Sequence, residues 1–134
     1  MLNGHENSTF ELNDQEQELV PIFVRRFKNQ PGKNNSVTNK EMISGLAKIG
    51  IKITEPRIRK VIQYIRLNRL LPGLVATSNG YFLTTNIKEF EDWIESMKQR
   101  ENIIRQSREI GEQDLEQMKQ YYFQQEKEKK ESNE

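Results

Sequence analysis

The chain contains no cysteine, which excludes disulfides and thiolate zinc sites. Its one histidine, His5, lies in a polar N-terminal stretch without a second histidine or a cysteine to share a metal ion. No run of about 18 apolar residues occurs, so no membrane-spanning helix is expected. The first ten residues are polar and hold no apolar stretch of the signal-peptide kind. No glycine-rich phosphate loop and no serine or threonine in a nucleophile motif is present. The carboxylate pairs, Glu91 with Asp92 and Glu112 with Asp114, read as a solvated helix surface. The expectations are a soluble cytoplasmic protein that is not an enzyme, with no metal, no cofactor and no small-molecule ligand. Apolar residues are also scarce, at 34% against roughly 45–50% (glycine included) in a typical globular chain. Either the core is small or part of the chain never packs.

What is present is a hidden charge asymmetry. The net charge is only +1. Yet residues 1–24 carry five acids (Glu6, Glu11, Asp14, Glu16 and Glu18) and no Lys or Arg. Residues 25–70 carry twelve basic groups against two acids, Glu41 and Glu55, for a local charge of +10. Residues 71–134 return to −4. A basic block of this density, flanked by acidic segments, is the electrostatic footprint that attracts phosphate backbones.

Apolar spacing and breakers divide the chain into elements. Residues 1–12 are expected to be flexible. Asn13 or Asp14 can cap a first helix whose apolar face is Leu19, Ile22, Phe23 and Phe27. It stops near Asn29, before the breakers of 30–35. Ser36-Val37-Thr38 suits a very short strand. Thr38 or Asn39 caps a second helix carrying Met42, Ile43, Leu46, Ala47 and Ile49, and Gly50 closes it. A third helix over 55–69 begins at Thr54-Glu55-Pro56: a capping hydroxyl, an acid and a first-turn proline. Two β-prone runs, 74–77 and 81–84, flank Ser78-Asn79-Gly80, where Asn-Gly is a strong hairpin cue because both residues tolerate positive φ. Asn86 then caps a long helix with an apolar stripe of Ile87, Phe90, Trp93, Ile94 and Met97, wide enough to pack back on the domain.

The capped basic helix at Thr54-Glu55-Pro56-Arg57 and the hairpin over 74–84 with its Ser-Asn-Gly tip resemble the winged helix-turn-helix superfamily, over roughly residues 14–97. The phrase from Ile65-Arg66-Leu67-Asn68-Arg69-Leu70-Leu71 to Thr77-Ser78-Asn79-Gly80-Tyr81-Phe82 looks like small winged-helix proteins of phages and prophages. The resemblance implies a mostly α fold with a small β-hairpin: helix, short strand, helix, helix, two-stranded wing, then a long C-terminal helix. It implies a winged-helix DNA-binding domain over 13–97, followed by an extension over 98–125; the alternating charge over 126–134 reads as a solvated or disordered tail. The partner is double-stranded DNA, with a role in transcription regulation or replication in a bacterial or infected host cell.

In such proteins the second helix of the motif enters the major groove. On a wheel of the 55–69 helix, Ile58, Val61, Ile62 and Ile65 share one side, and Lys60, Gln63 and Leu67 lie opposite. Arg57, Arg59 and Tyr64 flank that outer face. The DNA-binding candidates are therefore Arg57, Arg59, Lys60, Gln63 and Tyr64, with Lys40 for backbone contact and Ser78 and Asn79 at the wing. Arg and Lys read guanine edges or phosphates, and Gln bonds adenine. The wing carries no Arg or Lys, which gives it a positioning role. Arg25, Arg26, Lys28 and Lys33 are further backbone candidates. A homodimer through the C-terminal helix is a second expectation, with Arg100 and Gly111 interrupting its seam. The competing reading is a protein-interaction module or virion adaptor that works through that helix.

Overall fold

The computed structural model describes residues 11–133. Among them, four α-helices, a short 3-10 turn and a two-stranded hairpin follow one another in the expected order. Helix α1 (Asp14–Asn29) starts with a full capping box. The Asn13 side chain accepts from the Glu16 N–H at 2.7 Å, and the Glu16 carboxylate accepts from the Asn13 N–H at 2.9 Å. Pro21 falls well inside the helix rather than in its first turn, on the exposed side. Leu12, assigned from sequence to a loose segment, is buried. His5 and the rest of the expected flexible N-terminus up to residue 10 lie outside the described residues.

Helix α2 (Asn39–Lys48) has the same device, with Thr38 and Glu41 as its capping box. Its end is a Schellman turn: Gly50, at φ +82°, donates to Ala47 and Ile51 donates to Leu46. Helix α3 (Glu55–Leu67) differs at both ends from the sequence expectation. The Thr54 hydroxyl makes no capping bond, so Pro56 and the acid Glu55 define its start. It stops two residues early, in a second Schellman turn where Leu70 donates to Ile65 and Arg69 donates to Arg66.

Arg69 holds the left-handed position of that turn, at φ +55°. Among the described residues it is the only non-glycine with a positive φ. Left-handed backbone costs an L-residue about 1–2 kcal/mol, part of which glycine's extra freedom in the unfolded chain would offset. Arg69→Gly is therefore expected to raise stability by about 0.5–1 kcal/mol, measured by urea denaturation. A loss of stability would mean that the Arg69 side chain contributes something its exposed position does not suggest.

The core lies where the three helices meet the hairpin. Leu19, Phe23 and Phe27 of α1 and Met42 and Leu46 of α2 pack with Ile58, Val61, Ile62 and Ile65 of α3. All four α3 residues are the ones the wheel assigns to the inside. Ile22 and Ile43 are only half-buried, and Ala47 and Ile49 are exposed. Strands β1 (Leu74–Thr77) and β2 (Gly80–Leu83) pair antiparallel, with Thr77 opposite Gly80. Leu74 and Tyr81 join the main core, while Val75 and Phe82, paired across the strands, are buried on the opposite face.

The hairpin turn is built differently from the Asn-Gly expectation. Its two central residues are Ser78 and Asn79, neither with positive φ; that conformation falls on Gly80, at φ +113°. The Thr77 hydroxyl accepts from the Asn79 N–H at 3.1 Å and steadies the turn. The expected strand at 36–38 is a single bridge residue. Val37 donates to Tyr81 at 2.9 Å and accepts from it at 2.8 Å, adding one rung to the hairpin's edge.

Asn86 caps the fourth helix, α4 (Ile87–Ser132), by accepting from the Glu89 N–H at 3.0 Å. None of its described residues is buried, so the stripe predicted to pack on the domain is not core. Phe90 and Trp93 are half-buried, and Ile87, Ile94 and Met97 are exposed. The described residues divide after Phe90 into two compact units. The charged residues from Glu126 to Glu131 are exposed and lie in this helix, which ends at Ser132. Among the described residues no helix is long and apolar enough to cross a membrane.

Candidate nucleic-acid interface

Burial of Ile58, Val61, Ile62 and Ile65 turns the opposite face of α3 outward. Pro56, Arg57, Arg59, Lys60 and Gln63 line an open groove of about 500 Å³ there, together with Asn13 and Glu16 at the start of α1. Four of the eight sequence candidates thus come together. Tyr64 is half-buried and not part of this lining, while Lys40 is exposed in the first turn of α2. Ser78 and Asn79 are exposed at the hairpin turn, away from the groove lining.

The basic groups of the groove are not equivalent. Arg59 is exposed and ion-paired with Glu55, one turn back, at 2.7 Å. Glu55 also accepts from the Asn39 side chain at 3.3 Å. The hydrogen bond from Arg59, then that from Asn39, holds the Glu55 carboxyl below its usual range, and Glu55 in turn raises the Arg59 value. An exposed pair of this kind is weak and screened by salt. A phosphate can displace Glu55 at little cost. Arg57 is similarly exposed, with a long 3.4 Å bond to the Gln15 side chain, and Gln63 is exposed.

Lys60 is different. Its ammonium lies 3.3 Å from a Glu16 carboxylate whose side chain is only 2% exposed. Drawing Lys60 toward DNA would leave that buried carboxylate with its cap bond alone, and stranding a buried charge is expensive. Lys60 therefore belongs to the link between α1 and α3 more than to a ligand. Lys60→Ala is expected to cost about 2 kcal/mol of stability, and adding Glu16→Gln should recover most of it. Denaturation of the two single variants and the double variant gives the coupling; additive losses would show that the pair is not linked.

Sequence reasoning missed Glu16, although Asn13-x-x-Glu16 carries the capping-box signature. It also missed Arg66, which is half-buried and donates to the Leu74 carbonyl at 2.8 Å, tying α3 to β1. Burial lowers its pKa from the usual arginine value. Arg26, a backbone-contact candidate, instead lies over the Phe27 ring, 5.9 Å from its centroid, and donates to the Asn35 carbonyl at 3.1 Å. Arg25, Lys28 and Lys33 remain exposed. No family model, curated protein or solved structure matches the chain. The interface is read from its own geometry.

Proposed function

We propose that the chain is a winged helix-turn-helix DNA-binding protein that inserts α3 into the major groove, acting in transcription regulation or replication. The observation that carries this reading is the exposed face of α3, with Arg57, Arg59 and Gln63 raised above a fully apolar buried face. Arg59 and Gln63 are one turn apart, a spacing that suits two side chains reading neighbouring base edges. The element order and the Val37–Tyr81 rung beside the hairpin support the winged-helix reading. Lys40 and the N-terminal amides of α3, which lack a side-chain cap, supply phosphate contacts. Ser78 and Asn79 supply small polar contacts that position the wing.

The test is a titration of mixed-sequence duplex DNA with the wild type and with an Arg59→Ala/Gln63→Ala variant at two salt concentrations. Loss of binding in the variant is expected, with its fold unchanged. The exposed apolar side chains of α4, Ile104 and Phe123 among them, favour a second reading, an interaction module. Under it the variant would keep its partner and deletion of residues 103–134 would lose it.

A further inference from the structure

Helix α4 leaves a self-complementary seam uncovered beyond residue 90. Six side chains, Ile94, Met97, Ile104, Leu115, Met118 and Tyr122, follow the alternating three-and-four spacing of a coiled-coil seam and are 39–69% exposed. The same spacing places Glu101, Arg108 and Gly111 on the seam. Arg100, which the sequence reading counted as an interruption, falls beside it.

We propose that this seam is covered by a second copy of the chain in an antiparallel coiled coil, with the two-fold axis passing at Gln106. The three exceptions select this arrangement. In a parallel, in-register pair each seam residue meets its own copy, so Glu101 would face Glu101 and Arg108 would face Arg108. Two like-charge layers in one short seam are strongly unfavourable. In the antiparallel pair centred on Gln106, Ile94 meets Met118 and Met97 meets Leu115, each twice by symmetry. Arg108 lies beside Ile104, one turn from the other copy's Glu101, and Glu101 faces Gly111. Centring the pair half a heptad toward the N-terminus leaves none of the six apolar residues facing another. Half a heptad toward the C-terminus keeps as many apolar layers, Met97 with Tyr122 and Ile104 with Leu115, but sets Arg108 against Gly111, about 15 Å along the helix from the other copy's Glu101.

Gly111 is a second, independent observation. It lies in mid-helix, has no positive φ, and a Cβ added there would meet nothing. The chain's own fold gives no reason to accept the helix penalty of glycine at this point. Close approach of a second helix bearing the Glu101 side chain does. The contact is isologous and closed, so it stops at two copies. The inference rests on residues 91–134 and stands whether or not the α3 face binds DNA.

Because the chain has no cysteine, single cysteines introduced for spin labels are clean probes. Gln106→Cys, Gln113→Cys and Gln120→Cys in the full chain all lie on the outer face of α4, at exposed positions that leave the seam intact. At 1.5 Å per residue, the antiparallel pair adds roughly 0, 21 and 42 Å of axial separation at 106, 113 and 120. Pulsed dipolar spectroscopy should therefore give distances that lengthen in that order. Equal distances at all three sites would establish a parallel pair and overturn the proposal. Equal distances at 106 and 113 with a longer one at 120 would overturn the register. Absence of dipolar coupling at protein concentrations of tens of micromolar would overturn self-association.

Discussion

An Arg59→Ala/Gln63→Ala variant should lose duplex DNA affinity by roughly a hundredfold, about tenfold for each contact removed, while its melting curve stays close to wild type. The two halves of this expectation have separate causes. Both side chains are exposed, and neither belongs to the core. Arg59 gives up only its ion pair with Glu55, which is open to solvent. The affinity loss follows because both groups lie on the exposed face of α3 and can reach a base edge without disturbing the fold. Including Lys60 in the substitution would confuse the result, since its loss strands the buried Glu16. A variant that binds as tightly as wild type would remove α3 from the interface.

The largest effect on stability is expected at Gly80. An added Cβ there would collide with the Val37 carbonyl carbon and oxygen and come within 2.7 Å of the Thr38 nitrogen, at a φ of +113° that alanine rarely adopts. Relief of that collision breaks both Val37–Tyr81 hydrogen bonds. It also displaces Thr38, the residue that caps α2. Strain and lost bonds together put Gly80→Ala at about 3–5 kcal/mol of destabilisation. Gly45→Ala is the internal control. Gly45 lies inside α2 where an added Cβ meets nothing, so the same substitution should stabilise by up to about 1 kcal/mol. Urea midpoints that move in opposite directions for the two alanines would support the hairpin geometry; a neutral Gly80→Ala would contradict it.

Local signals in the sequence carried the helices and the hairpin. The caps at Asn13, Thr38 and Asn86 and the inward set of α3 needed only neighbours in the chain. Three features depended on what approaches from elsewhere. The hairpin turn centres on Ser78-Asn79 because Gly80 must lie flat against Val37, a contact 43 positions away that no dipeptide rule contains. Lys60 looks like any other base on the outer face, yet the carboxylate beside it comes from α1. Periodicity showed that α4 has an apolar stripe but not whether anything covers it, and none of its described residues is buried. The candidate interface was legible as a charge block and a face. Its division into exposed groups, Arg57, Arg59 and Gln63, and an engaged one, Lys60, was legible only from tertiary distances.

The most direct test of the DNA-binding proposal is the salt dependence of wild-type binding to a mixed-sequence duplex, followed by fluorescence anisotropy. Each phosphate neutralised releases condensed counterion, giving a slope of about −0.9 in log affinity against log salt per contact. Arg57 and Lys40, with the helix amides adding orientation, predict a slope of about −1.5 to −2.5 for one copy. A slope in that range, or twice it for a pair of copies, is the expected result. Binding that ignores salt, or no binding at the lowest salt, would contradict the account.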